Sequence, residues 1–239
     1  IQGEKMTKYD FTFAHREEGF DEHIEHSIRG YSNLLDDVVN LSKYFVEPDT
    51  KVVDVGCSTG KVTKRMIESH LDINIDDVIY EGVELAKGFE KPLENRRKEL
   101  RKEYPESNVN FINDDVRFYE FKNCSLVTSI FTLQFMPMKD RSKLISQIYE
   151  GLNVGGGFIF AEKLLCSNAK IQEMMTFNYY DYKRKHFEAK DIMDKEKTLR
   201  HMLKPNTWKQ IKDMILDAGF QDVQCFWSNH MFVGALALK

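Results

Sequence analysis

The sequence predicts an α/β fold: a doubly wound, mainly parallel sheet with helices on both faces, an antiparallel hairpin at its C-terminal end, a helical N-terminal lid and a helical insertion. Three observations predict it. Short apolar runs alternate with polar, helix-like stretches before residue 166. A turn with spaced glycines follows the first of these runs. Two final apolar runs, 223–227 and 231–238, are joined by three residues, as in a hairpin.

One domain is expected to span the whole chain, residues 1–239. A hydrophobic content of 42% suffices for one substantial core, and α/β domains often reach this length. Residues 1–19 are polar with scattered aromatic residues, which indicates an N-terminal arm. The residues before Met6 are typical of a remnant of cloning, with a natural terminus as the alternative.

The composition narrows the classes of function. A net charge of −4 and a pI of about 6.0 argue against direct nucleic-acid binding, because such proteins usually carry an excess of basic residues. No apolar run approaches the roughly 18 residues that a membrane span requires. Four cysteines lie far apart without a Cys-x-x-Cys pair, so we expect reduced thiols and a cytoplasmic protein.

The remaining elements follow in order. Residues 20–45 carry apolar residues at three- and four-residue spacing, which predicts the helical lid, interrupted at Gly30 and Tyr31. The triple glycine 155–157 is expected to end a helix that begins near residue 139. Thr207 is a candidate cap for the last helix. Further helices are predicted at 61–70 and 89–104, and strands at 52–55, 78–84, 109–112, 125–131 and 158–162.

The chain is organised around residues 52–60, where a β-branched strand leads into the glycine-spaced turn. Gly56 and Gly60 lack a Cβ atom, so the backbone can turn sharply and a ligand can lie against it. The free N–H groups of the following helix would face that ligand. The turn therefore predicts a nucleotide-type cofactor site, with an ordinary strand-to-helix loop as the alternative. The cofactor-binding candidates here are Asp54, Gly56, Cys57, Ser58 and Gly60.

Acidic residues close the next two strands of the predicted sheet. Glu84 follows the turn at the distance where doubly wound folds place a ribose-binding acid, and Asp115 follows the third strand. Because the carboxyl ends of parallel strands share one edge, these carboxylates should lie together. Without compensating cations they suit a cationic or neutral adenosine ligand better than a triphosphate. The remaining candidates at this edge are Asp114, Val116, Ile130 and Phe131.

At these positions the chain resembles the class I S-adenosylmethionine-dependent methyltransferases, which have a Rossmann-like fold. Within them it is most similar to the carboxy-S-adenosylmethionine synthases, which serve the modification of the wobble uridine of tRNA. The likeness extends from about residue 20 to residue 238. The residues that carry it are 20–22, 27–33, 55–58, 131–135, 148–153, 155–156 and 162–163.

The resemblance implies a cofactor and a reaction. The cofactor would be S-adenosylmethionine or carboxy-S-adenosylmethionine, with Gly56 and Ser58 against its methionine part. Tyr31 would cap it, although a merely packed aromatic residue is the alternative. The implied reaction removes a proton from the cofactor's methyl group, which then captures carbon dioxide released from prephenate. Methyl transfer to a small molecule and non-catalytic cofactor binding are the alternatives.

The chain departs from that family at two positions. The family's insertion has an arginine that binds the product's carboxylate, and an asparagine precedes its Phe-Thr-Leu-Gln-Phe phrase; here Glu196 and Ile130 stand there. Arg200 replaces a family glutamate, so Glu196 and Arg200 resemble a charge swap one helical turn apart. We expect Arg200, or Arg29 beside Tyr31, to bind the carboxylate, and these three are the predicted catalytic residues. Loss of carboxylate recognition is the alternative.

The stretch 166–204 breaks the alternation of strands and helices. It is rich in Met, Tyr and Lys and long enough for two or three helices, so it is expected to cover the site and either select a small-molecule substrate or build a homodimer. Only His23 and His26 among the seven histidines have a spacing of use to a metal, and no metal site is predicted.

Overall fold

A computed structural model describes residues 19–73 and 75–239. Almost all of the predicted N-terminal arm, 1–19, lies outside the described residues. The described chain forms one seven-stranded sheet with the strand order β3-β2-β1-β4-β5-β7-β6. The strands are β1 (Lys51–Val55), β2 (Ile79–Glu84), β3 (Asn108–Asn113), β4 (Cys124–Ile130), β5 (Leu152–Lys163), β6 (Asp222–Asn229) and β7 (Phe232–Leu238).

The direction of the strands confirms the predicted fold. β1 to β5 pair in parallel, whereas β7 runs antiparallel between β5 and β6. The chain order reverses at β1, which lies between β2 and β4. In such sheets ligands bind outside the carboxyl ends of the strands at the point of reversal. The sheet therefore places a site at the ends of β1, β2 and β4.

Eight α-helices are described. They are α1 (Phe20–Ser27), α2 (Tyr31–Ser42), α3 (Lys61–Leu71), α4 (Glu90–Glu103), α5 (Met138–Gly151), α6 (Ala169–Lys183), α7 (Ala189–Met202) and α8 (Trp208–Asp217). α6 and α7 form the predicted insertion.

Successive strand residues point to opposite faces of the sheet, and each face has its own core. Val52 packs in one hydrophobic cluster with residues of α2, α3 and α4, whereas its neighbour Val53 packs in the other with residues of α5 and α8. Burying both faces explains why the central strands read as continuous apolar runs.

The lid is two helices, as the interruption predicted at Gly30 and Tyr31 implies: Ile28 is extended, Gly30 is left-handed at φ 76°, and Tyr31 begins α2. One predicted boundary was wrong. The triple glycine does not end α5, which stops at Gly151, where a Cβ atom would lie 2.2 Å from Phe121 Cβ. The glycines belong to β5, and the backbone of residues 155 and 156 pairs with that of Lys239.

The C-terminal elements follow their predicted order. Thr207 caps α8 by accepting the N–H of Gln210, and the Gln210 side chain accepts the N–H of Thr207 in return. Each half of this capping box satisfies a backbone donor that the helix leaves unpaired. No helix within residues 19–73 and 75–239 combines the length and the hydrophobicity that crossing a bilayer requires.

Candidate cofactor and substrate site

The turn after β1 is held between the ends of β2 and β4. Gly56 has φ 70°, and its N–H donates to the carbonyl of Val83 at 2.8 Å. A Cβ atom at Gly56 would lie 2.2 Å from Thr132 Oγ1, so this position accommodates only glycine without displacement of its neighbours. Gly60, at φ 71°, is the N-cap of α3. Both glycines therefore have the conformational role that the sequence predicts.

Asp54, the residue before the last of β1, stabilises the turn through buried hydrogen bonds. Its carboxylate is buried and accepts the hydroxyls of Thr63 and Thr128, at 2.9 and 2.8 Å. Burial raises the pKa of Asp54 to about 6, and the two hydroxyl donors oppose that shift. These contacts tie β1 to α3 and β4, so Asp54 stabilises the turn.

Glu84 joins the ends of two strands. One carboxylate oxygen accepts the N–H of Ser58 and the other the N–H of Ala86, both at 2.8 Å. Burial raises the pKa of Glu84, whereas these amide donors lower it. A carboxylate so oriented retains lone pairs for further donors, such as the hydroxyls of a ribose.

The acidic residues that follow β3 are partly neutralised by a cation. Asp115 accepts the Arg117 guanidinium through both oxygens, and this pairing holds its pKa below the usual value. Arg117 also pairs with Asp140 at 2.7 Å. Asp114 is more exposed and accepts the N–H of Asp115. A neutral group such as an adenine therefore fits beside Asp115 better than a second cation does.

One cavity brings most of the predicted residues together. Gly60 is the exception among the cofactor-binding candidates, because it packs beneath the turn against Phe111 and Arg96. Burial raises the pKa of the Cys57 thiol, which lies against Gly82, so the thiol shapes the turn as a neutral group. The predicted residues that line the cavity are Tyr31, Asp54, Gly56, Cys57, Ser58, Glu84, Asp114, Asp115, Val116, Ile130 and Phe131.

Helix α1 forms another wall of the cavity. Asp21 accepts the Thr59 hydroxyl at 2.9 Å, and Glu25 pairs with Lys61 at 2.6 Å. On its other side, α1 is joined to the insertion by a hydrogen bond between His23 and Lys195 of α7. The predicted lid thus contacts both the glycine turn and the insertion. His23 takes part in these contacts, and no cluster of three or more metal-ligating residues occurs in the described part of the chain.

The two arginines predicted to bind a carboxylate lie elsewhere. Arg200 is exposed, because α7 turns Lys195 and Leu199 towards the cavity and the next residue is rotated about 100° away. Arg29 is exposed in the break between the lid helices. Neither lines the cavity, so their predicted placement was wrong.

Sequence reasoning missed several polar residues of the cavity wall, among them Gln134 and Lys163. Gln134 lies in a short 3₁₀ turn after β4, and Lys163 is the last residue of β5. Both lie within phrases quoted above for the family resemblance. Their position at or shortly beyond the carboxyl ends of parallel strands is the signal that could have identified them.

Two residues of the wall hold an unusual backbone conformation. Ser58 and Phe131 have φ angles of 47° and 58°, in the left-handed region that costs a non-glycine residue about 1–2 kcal/mol. Phe131 is bulky, so its conformation is a pronounced outlier. The other four described non-glycine residues with a positive φ are Asp, Asn or His, which tolerate it better and lie outside the cavity, whereas Ser58 and Phe131 line it.

The groups that line the cavity fit S-adenosylmethionine. The open glycine turn with a helix behind it suits the methionine part, Glu84 suits the ribose, and the acidic edge suits a sulfonium cation. Aromatic residues, including Tyr31 and Phe131, whose ring centroids are 6.2 Å apart, enclose the space beside the turn.

Comparison with known proteins agrees with this fit. A family model described as a methyltransferase domain matches residues 52–156. Magnesium protoporphyrin IX methyltransferase from Synechocystis aligns with a TM-score of 0.60 at 14% identity, covering 90% of this chain and 86% of that one. An O-methyltransferase family protein from Burkholderia thailandensis aligns with a TM-score of 0.62 at 14% identity, covering 95% of this chain and 61% of that one.

The fold and the site define an S-adenosylmethionine-dependent transferase with the methyltransferase fold. Two relatives named carboxy-S-adenosyl-L-methionine synthase cover nearly the whole chain. One, from Staphylococcus epidermidis, is 34% identical over 225 residues, 92% of each chain. The other, from Shewanella baltica, is 29% identical over 237 residues, 96% of this chain and 93% of its own. The chain belongs to the carboxy-S-adenosyl-L-methionine synthase family.

Proposed function

We propose that this chain converts S-adenosylmethionine into carboxy-S-adenosylmethionine with prephenate as the source of the carboxyl group. The observation that carries the proposal is the 34% identity to a relative of that name over 92% of both chains. When bound, the cofactor supplies an activated methyl group on a sulfonium. The product would serve the modification of tRNA, and the chain itself would not bind tRNA.

The chain's own residues would bind the cofactor and keep water from its reactive carbon. We place Gly56 and Ser58 against the methionine part, Glu84 on the ribose and Asp115 near the adenine, with Tyr31 as the cap. Exclusion of water protects a basic carbon from protonation. The apolar and aromatic side chains of the cavity support such a water-poor pocket. Those that line the cavity include Tyr31, Phe131, Phe135, Tyr179 and Phe232.

One observation favours a second candidate, methyl transfer to a small molecule. Glu196 occupies the position of the family arginine that binds the carboxylate, and its Oε1 is buried without a hydrogen-bond partner among the described residues. A carboxylate there would repel the carboxyl group of the product. Methyl transfer needs in-line positioning of an acceptor and no such anion site.

Mass spectrometry of the cofactor separates the two candidates. We expect purified protein incubated with S-adenosylmethionine and prephenate to yield a cofactor heavier by one carboxyl group. A matched incubation without prephenate should leave the cofactor unchanged. Plain S-adenosylmethionine in both incubations would contradict the proposal and favour methyl transfer, which a screen of small acceptors for S-adenosylhomocysteine release would then test.

We propose that the protein is a homodimer that uses α6. Ile171, Met174 and Phe177 lie on one side of α6, and their side chains are 48%, 62% and 61% exposed. Large apolar side chains grouped in this way support association with a second copy of the chain. We expect sedimentation velocity to give a dimer for the wild type and a monomer for Phe177→Glu. Leu216→Glu, at a 39% exposed apolar residue of α8, is the control that should stay dimeric.

We propose that the chain is a single domain and that it is located in the cytoplasm. One S-adenosylmethionine-binding domain is supported by the single sheet that all seven described strands share. A cytoplasmic location is supported by the four cysteines, all of which are free. Fractionation of cells that express the full natural chain measures the location.

A further inference from the structure

Two hydrogen-bond donors face the cavity side by side. Lys163 ends β5, and Gln134 lies in the turn that follows β4. The backbone N–H of Lys163 donates to Gln134 Oε1 at 2.7 Å. The 3₁₀ turn that contains Gln134 is itself fixed, because the buried carboxylate of Glu162 accepts the N–H of Leu133 at 3.0 Å. The Gln134 side chain and the Lys163 backbone are therefore placed by contacts at the ends of the strands.

The contact between Lys163 and Gln134 decides which way the Gln134 amide points. An amide oxygen that accepts a backbone N–H leaves the NH₂ group on the opposite side as a donor. Gln134 is buried except where it lines the cavity. The group that it presents to a ligand is thus a donor of two hydrogen bonds.

The Lys163 ammonium is available for a ligand. It lies 5.4 Å from the ring centroid of Tyr179 and 5.9 Å from that of Phe232. Within residues 19–73 and 75–239 its Nζ forms no hydrogen bond and no ion pair. Burial lowers the pKa of Lys163, and the nearby charge of Glu196 opposes this shift. Glu196 is near this ammonium but forms no ion pair with it, so the ammonium still has a position for a bonded anion beside its aromatic neighbours.

The other cations of the wall are already engaged. Lys61 pairs with Glu25, and Lys195 contacts His23. Arg117 is held between Asp115 and Asp140. An anionic ligand could bind these cations only by displacing a present partner. Binding to Lys163 displaces no hydrogen-bonded partner.

We propose that Lys163 and Gln134 form a carboxylate-binding subsite of the cavity. A charged donor beside a neutral two-proton donor is suited to an acceptor with two oxygens. The inference deepens the proposed function and rests on it for the identity of the carboxylate, which belongs either to the carboxylated cofactor or to the second substrate. Lys163 would take the role that the family arginine plays, at a different place in the chain.

Binding measurements on Lys163→Met test the subsite. We expect the variant to bind one of the two carboxylates, carboxy-S-adenosylmethionine or prephenate, roughly 10- to 150-fold more weakly than the wild type, with the affinity for S-adenosylmethionine changed less than about threefold. Lys163→Arg should restore most of the loss, because it returns the charge. Gln134→Glu should show the same selective loss, since it keeps the acceptor for the Lys163 N–H and replaces the donor with a like charge.

A second arm separates the two sources of the carboxylate. Prephenate is titrated into each variant with S-adenosylhomocysteine present. A selective loss of carboxy-S-adenosylmethionine affinity assigns the subsite to the cofactor, and a selective loss of prephenate affinity assigns it to the second substrate; either supports the inference. Lys61→Met is the matched control, and it should not discriminate between the carboxylated and the plain cofactor.

Unchanged affinity for both carboxylates in folded Lys163→Met would overturn the inference. Its failure can be told from failure of the proposed function. If wild-type protein makes no carboxylated cofactor but Lys163→Met still loses carboxylate affinity, the subsite stands and the proposed reaction is wrong. If the wild type carboxylates the cofactor and Lys163→Met binds both carboxylates normally, the reaction stands and the subsite is wrong.

Discussion

Replacing Glu84 with alanine is expected to weaken S-adenosylmethionine binding by about 5- to 150-fold. The Glu84 carboxylate accepts the N–H groups of Ser58 and Ala86 and lines the cavity. Alanine leaves both amides without that partner and removes the acceptor proposed for the ribose, a loss of about 1–3 kcal/mol. Calorimetric titration of the folded variant with S-adenosylmethionine measures the effect.

Glu81 provides the matched control on the same strand. It pairs with Lys51 at 3.0 Å and accepts the Tyr119 hydroxyl, and it does not line the cavity. Glu81→Ala should therefore leave the cofactor affinity unchanged even where it lowers the melting temperature. If folded Glu84→Ala binds the cofactor as the wild type does, Glu84 has no place in the site.

A methyl group at Gly56 is expected to disrupt the turn that the site is built on. In Gly56→Ala the new Cβ atom would lie 2.2 Å from Thr132 Oγ1 and 2.5 Å from Thr132 Cγ2. A left-handed non-glycine residue costs about 1–2 kcal/mol, and overpacking adds about 1–3 kcal/mol. We expect a lower free energy of unfolding, measured by urea denaturation, and loss of measurable cofactor binding.

Gly155→Ala separates backbone strain from steric overlap. Gly155 has a similar φ of 83°, but a Cβ atom there meets nothing within 4 Å. Gly155→Ala should lower the free energy of unfolding only by the cost of backbone strain, and it should keep its cofactor affinity. Adding Thr132→Ala to Gly56→Ala should recover part of the stability, because it removes the two closest atoms. Equal effects of Gly56→Ala and Gly155→Ala would mean that the contact with Thr132 has no consequence.

The sequence predicted the features that depend on local geometry. The glycine turn and Glu84 are placed by strand ends and by the few residues that follow them, so their spacing alone locates them. Lys163 and Gln134 obey the same rule. They were passed over because a lysine and a glutamine after a strand carry no distinctive motif.

Features that depend on distant partners were predicted less well. The glycines 155–157 read as a helix end, yet their backbone is held by Lys239, the last residue of the chain. Arg200 was assigned to the cavity, but a difference of one residue on α7 decides which side chain faces inwards. Neither the pairing nor the rotation of a helix about its axis is written in local sequence.

The eight-residue helix α1 has a further consequence, because a helix of this length is not stable alone in water. Its order depends on contacts with the rest of the protein, and five of its residues line the cavity. The Glu25–Lys61 pair that helps to hold it is partly exposed, and such pairs contribute about 0–1 kcal/mol. A ligand that contacts these residues is therefore expected to stabilise α1. The hydrogen exchange of its amide protons should become slower when the cavity is occupied.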